Sequence, residues 1–194
     1  MMRCCRNLSL LLLLALLSAC ATAPPAPGCT RIGHTGQFCA LAPAQLPAVR
    51  ATHIVTINHD GQQDTFMGEL QIDQHSLRLA GFSLFGTSLF TIEYDGNRIT
   101  QLPKQTPIHA ELLVTMLELA LADPAILRER LHNLSLEVSA QDHIQTRELF
   151  EHGHLIARVE RTDGPLTTAH IRIAIPLAKL SVQMDPLEAG RVAP

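Results

Sequence analysis

The chain has 194 residues, 46% of them hydrophobic and 17% charged, a balance that fits one folded domain and excludes a disordered chain. Lys+Arg number 15 against Asp+Glu 18, and aromatics are 4% with no Trp. A single-stranded nucleic-acid binder needs a basic groove and stacking rings, so nucleic acid is not an expected partner.

The first residues read as an export signal. Arg3 and Arg6 precede the apolar run Leu8–Leu17, which is shorter than the ~20 residues a membrane span takes. Small residues follow in Leu17-Ser18-Ala19-Cys20, completing the order of basic start, short apolar core and cleavage site. This stretch resembles the lipobox of bacterial lipoproteins, in which the cysteine is acylated and becomes the first mature residue. The resemblance implies residues 1–19 as signal peptide and Cys20 as the lipidation site. The other reading is an ordinary exported chain with an unmodified cysteine. Ala21, not Asp, follows the cysteine, which by the same resemblance implies the periplasmic face of the outer membrane. The mature chain is acidic, so the lipid and not a basic patch would hold it to the membrane. Residues 20–28 carry Pro24, Pro25 and Pro27, the composition of an extended tether.

Five cysteines are present. Cys4 and Cys5 leave with the signal and Cys20 is spent on lipid, which leaves Cys29 and Cys39 as an even pair. In an exported chain such a pair predicts a disulfide within residues 29–50, contributing about 2–3 kcal/mol by loop entropy. Free thiols, or a metal held with His34, are the alternatives; the spacing matches no familiar zinc site.

From residue 51 the pattern alternates as in half-buried strands. Ile54–Ile57 leads to the turn signal Asp60-Gly61, and Phe66–Asp73 and Ser76–Ala80 follow. In Leu89–Tyr94, Phe90, Ile92 and Tyr94 share one face and Thr91 and Glu93 the other. Asp95-Gly96-Asn97 turns into Arg98–Gln101. The period then changes. Thr106 is positioned to cap a helix with Pro107 at its first position. Ile108, Leu112, Met116 and Ala120 repeat by four, as do Leu113, Leu117 and Leu121, with Glu111, Thr115 and Glu118 off that face. Asp123-Pro124 starts a second, short helix to about Leu131, with Arg128-Glu129-Arg130 facing water. Strands return at Leu134–Val138, Ile144–Phe150, Leu155–Arg161, Thr168–Ile175 and Leu177–Met184, ending the domain at residue 185 before a flexible tail of residues 186–194.

These elements predict an α+β, mainly antiparallel β fold: a curved open sheet of about ten strands with two helices inserted between strands. The helices would pack on the concave face. Leu79, Phe90, Ile92, Tyr94, Leu112, Leu113, Met116, Leu117, Ile171 and Ile173 point inward. They either line an apolar cavity or fill a solid core, as protein interiors normally do.

The stretch Gly68-Glu69-Leu70-Gln71-Ile72, Leu77-Arg78-Leu79-Ala80-Gly81, Leu84-Phe85-Gly86-Thr87 and Asp95-Gly96 resembles the LolA/LolB group, the periplasmic carrier and outer-membrane acceptor of lipoproteins. It is similar as well to a group of short outer-membrane lipoproteins often encoded beside aryl-polyene or fatty-acid-like biosynthetic genes. The resemblance implies an unclosed half-barrel with a helical lid and a cavity for acyl chains. In the acceptor a Gly-Pro-Leu-Gly-like loop carries an apolar side chain that helps lipid transfer into the bilayer. Here Gly81-Phe82-Ser83-Leu84-Phe85-Gly86 takes that place without the proline, which implies a specialised relative handling a different lipid. Phe82, Leu84 and Phe85 either insert into a membrane or partner, or fold back and plug the core.

Other motifs carry little chemistry. Gly81–Gly86 is one residue too long for a nucleophile elbow, and a strand follows it. His109-Ala110-Glu111 has no accompanying Cys pair. His152-Gly153-His154, with Glu151 beside it, is either a metal site or a polar turn. Arg78 either meets a lipid head or faces water. No phosphate-binding glycine loop, metal site or cofactor motif is expected. The expected role is therefore a binding module and not an enzyme: a lipid-anchored protein that takes an acyl chain or lipidated cargo and assists its transfer. A non-enzymatic assembly lipoprotein of an envelope biosynthetic or export complex is the alternative.

Overall fold

The computed structural model describes residues 28–103 and 109–187. The signal, Cys20, the tether, Thr106, Pro107, Ile108 and residues 188–194 lie outside the described residues. Thirteen strands and two α-helices follow in chain order: β1 Cys29–Arg31, β2 Gln37–Cys39, β3 Val49–His59, β4 Gln62–Ile72, β5 Leu77–Phe82, β6 Ser88–Tyr94 and β7 Ile99–Leu102. Then come helices α1 Ala110–Leu121 and α2 Pro124–Arg130, and strands β8 Leu131–His132, β9 Ser135–Gln141, β10 Ile144–Glu151, β11 His154–Thr162, β12 Ile171–Ile175 and β13 Leu180–Pro186.

The fold is mainly antiparallel β, with an open sheet of ten strands in the order β7-β6-β5-β4-β3-β13-β12-β11-β10-β9. Two meanders are joined where the first and last of these strands pair, with Val182 opposite Ile57 and Met184 opposite Val55. The chain leaves one edge at β7 and re-enters at the other edge at β9, so the two helices connect opposite edges of one sheet. Hairpin after hairpin puts alternate turns at one end. The 60–61 turn, the 83–87 loop, the 152–153 turn and the 176–179 turn share an end; the 73–76, 95–98, 142–143 and 163–170 connections share the other.

The alternation seen in sequence decides which face is inside. Val55 and Ile57 of β3, Leu70 and Ile72 of β4, and Ile92 and Tyr94 of β6 are all buried. Helix α1 lies against β7, β11 and β12 of the large sheet and against β1 of a second, three-stranded sheet β1-β2-β8. That second sheet corrects an expectation. Thr115 and Glu118, read as lying off the apolar face, are 2% and 0% exposed, because the N-terminal hairpin covers the side of α1 that the large sheet leaves open.

Several boundaries shift for local reasons. Helix α1 is described from Ala110, with His109 at its N-cap making no side-chain cap bond. Asp123 caps α2 as expected, its side chain accepting from the Ala125 amide. Arg130 is not wholly solvent-facing; it is half-buried and donates to Gln45 Oε1. Strand β12 begins at Ile171 and not at Thr168, because residues 165–169 turn on the Pro165 carbonyl. Pro176 ends β12 by starting a 3₁₀ turn, so β13 begins at Leu180 and not at Leu177. It runs on through Pro186, one residue past the expected domain end, and Val49 starts β3 two residues before the expected domain start.

Candidate functional site

The β5–β6 connection is a tight loop held by its own backbone. Ser83 N–H donates to the Thr87 carbonyl, Gly86 N–H to the Ser83 carbonyl, and Thr87 N–H to Ser83 Oγ. Gly86 has φ +83°, a conformation that favours glycine. This frame turns Leu84 and Phe85 outward: they are 62% and 97% exposed. Of the two readings for the loop, folding back is the one the geometry rejects for these residues. Phe82 differs, since it is half-buried in β5 and stands opposite Met67. Leu89 on β6, just past the loop, is also exposed.

The inward set is brought together. Leu79, Phe90, Ile92, Tyr94, Leu113, Met116, Leu117, Ile171 and Ile173 are buried in one apolar cluster, with Leu112 half-buried against it. Phe90 meets Phe66 edge to face at 5.3 Å, and Gly81 makes room for it: a Cβ there would stand 2.4 Å from the Phe90 ring. Arg78 faces water on the other side of the sheet beside Glu93.

The N-terminal hairpin crosses the helix as a strap fastened at both ends. At its base Cys29 and Cys39 are cross-strand partners joined by a disulfide. Gly28, Cys29 and Cys39 border a cleft of about 470 Å³ shared with Tyr94, Gly96 and Arg98. At its tip the backbone amides of His34, Thr35 and Gly36 and the Thr35 hydroxyl all donate to the Glu151 carboxylate. These donors, led by the His34 amide, hold the Glu151 carboxyl down to about 2.

Three other ionisable groups are buried; the sequence reading placed Glu118 off the apolar face and passed over Arg147 and His53. Glu118 Oε1 accepts from the Leu41 amide and Oε2 has no partner; burial pushes its carboxyl up to about 8. Arg147 donates to the Leu119 and Ala122 carbonyls at the end of α1, and burial lowers it to about 10. His53, 0% exposed on β3, has no well-formed hydrogen bond at either ring nitrogen, and burial lowers its pKa against the opposing pull of the Ala169 and Leu166 backbone. The signal was phase. Arg147 and Glu151 alternate with Leu149, and His53 with Val55 and Ile57, so each falls on the inward side.

His152 and His154 flank the β10–β11 turn and are exposed, as is His109. Among the described residues no group of three or more His, Cys, Asp or Glu is placed to hold a metal ion, and no helix is long and apolar enough to cross a membrane.

Over residues 50–187 the sequence matches a family described as a protein of unknown function, DUF3261. No curated protein matches the chain.

Proposed function

The chain belongs to the DUF3261 family, whose matched region covers both helices and all of the large sheet but Val49, and from that premise we propose that it is a lipid-handling protein. It holds an acyl chain or lipidated cargo against the inward apolar face and passes it to a membrane through the β5–β6 loop. In this reading Cys20 carries the lipid anchor, the protein sits on the periplasmic face of the outer membrane, and the ten strands with their helices act as a LolA/LolB-like half-barrel with a lid. Its partners are membrane lipid, the cargo and a periplasmic carrier or biosynthetic complex; it acts without chemistry of its own.

One observation carries the reading: Phe85, 97% exposed at a loop apex. A bare aromatic ring in water forgoes the roughly 1.5–3 kcal/mol that burying it would return. A loop frame that holds it out favours a surface into which it inserts. Each methylene of a bound chain adds about 0.8 kcal/mol when buried, which makes an acyl group an adequate ligand for an apolar interior. The test is transfer of a fluorescent acyl lipid from the protein to phospholipid vesicles. Leu84→Ser with Phe85→Ser is expected to leave folding intact and slow transfer at least about tenfold. An unchanged rate removes the loop from the mechanism.

A second reading is favoured by a different observation. Ten of the twelve residues of α1 are buried, as a filled interior requires. In that case the protein is an assembly lipoprotein, the exposed loop docks a protein partner, and no lipid co-purifies.

A further inference from the structure

Between the tip of the strap, the β10–β11 turn and the 176–178 turn lies a cleft of about 580 Å³ that meets the inward apolar cluster at Ile156. That volume falls in the range of small-molecule sites. Its walls divide by chemistry. Leu155, Ile156 and Leu177 make it apolar, and Leu177 is 58% exposed. His34, from the strap, and His152 and His154, from the turn, bring three histidines to its wall.

The charge at this cleft selects the ligand. Glu151 lies in its wall, and neither Lys nor Arg lines it. The Glu151 oxygens are engaged by the strap amides, but the carboxylate keeps its charge and disfavours a second anion alongside. Imidazole supplies both a donor and an acceptor, which suits an ester, amide or hydroxyl. We propose that this cleft binds the uncharged, hydrogen-bonding head and first methylenes of a single acyl chain. It lies at the same end of the sheet as Phe85, so a chain seated there is at the end from which cargo would leave. This rests on the acyl-handling reading above.

The test is equilibrium binding of monododecanoylglycerol, dodecanamide and dodecanoate to the full chain at pH 8, with the ring-proton NMR signals of the histidines followed during titration. The ester and amide are expected to bind about tenfold more tightly than dodecanoate, whose head lacks a donor and meets the Glu151 charge, and to move the signals of His34, His152 and His154. The exposed-site variants Leu177→Asp and His152→Gln/His154→Gln are expected to weaken the neutral ligands about tenfold, while Leu84→Ser/Phe85→Ser leaves their affinity unchanged. Equal binding of dodecanoate overturns the preference for an uncharged head. Full affinity in both cleft variants, or histidine signals that do not move, overturns the cleft while vesicle transfer still reports on the loop. No binding of any of the three ligands overturns the acyl-handling reading together with the cleft.

Discussion

Arg147 on β10 donates to the Leu119 carbonyl in the last turn of α1, Nη1 to oxygen at 2.7 Å, and the same nitrogen reaches the Ala122 carbonyl at 2.8 Å. The last carbonyls of a helix have no intrahelical partner and carry the negative end of its dipole. A strand side chain therefore caps the helix that crosses the sheet. It is 4% exposed, so its charge is balanced by backbone oxygens and by the Gln145 side chain that accepts from Nε.

Arg147→Leu is expected to destabilise the fold by about 2–3 kcal/mol, since it strands two buried acceptors. Urea denaturation gives the number. A loss below 0.5 kcal/mol would mean that water reaches those carbonyls.

Glu118 produces a pH dependence of defined sign. Its folded pKa, about 8, lies above its ordinary 4.5. Between those values the folded state holds a proton that the unfolded chain has released, so stability is full below about 4.5 and falls as pH rises toward 8. Glu118→Gln keeps an acceptor for the Leu41 amide and cannot ionise. The denaturation midpoint of the parent is expected to drop between pH 5 and pH 8, and that drop is expected to shrink in the variant.

Glu151 has the opposite sign. Its folded pKa, about 2, lies below 4.5, so the contribution is present above 4.5 and is lost as pH falls toward 2. Glu151→Gln removes the charge that gathers three amides. Amide exchange at His34, Thr35 and Gly36 is expected to rise about tenfold at neutral pH, while exchange in β3 and β4 stays unchanged. Protection retained at the strap tip would show that shape alone holds it.

Gly81→Ala tests how tightly the inward face is packed. The added methyl meets the Phe90 ring, and the ring must leave its edge-to-face contact with Phe66. A cost of about 1–3 kcal/mol is expected in thermal or urea unfolding. A neutral result would show that Phe90 has free space to move into, as an open cavity would provide.

The large sheet was legible because its strands are half-buried and write a period of two. Leu70 with Ile72, Phe90 with Ile92, and Ile171 with Ile173 each marked an inward face that the structure bears out. The Asp60-Gly61 turn and the Asp123-Pro124 helix start were legible because their local chemistry needs no tertiary partner. The strap was not. Strands β1 and β2 are three residues each, too short for any periodicity, and their cover over α1 is what buries Thr115 and Glu118. Exposure of Leu84 and Phe85 was open for a related reason: the same residues, folded back, would also satisfy the pattern, and only the Ser83–Thr87 bonds decide. The Glu151 carboxylate was legible as a polar residue beside two histidines, but its partners lie more than a hundred positions earlier in the chain.

The strap also sets where the chain enters the fold. Gly28 borders the 95–98 turn, at the opposite end of the sheet from Phe85. The seven residues of β6 alone cover about 23 Å of that separation, and Phe85 lies beyond them. The eight residue-to-residue steps from Cys20 to Gly28, with seven residues between them, reach about 28 Å at full stretch. For a molecule moored at Cys20 the leash and the body are therefore of similar length. If Cys20 carries lipid as proposed, an upright body points its apolar tip away from the bilayer, toward whatever arrives, and the same leash lets the tip reach the surface when the body lies down or turns over.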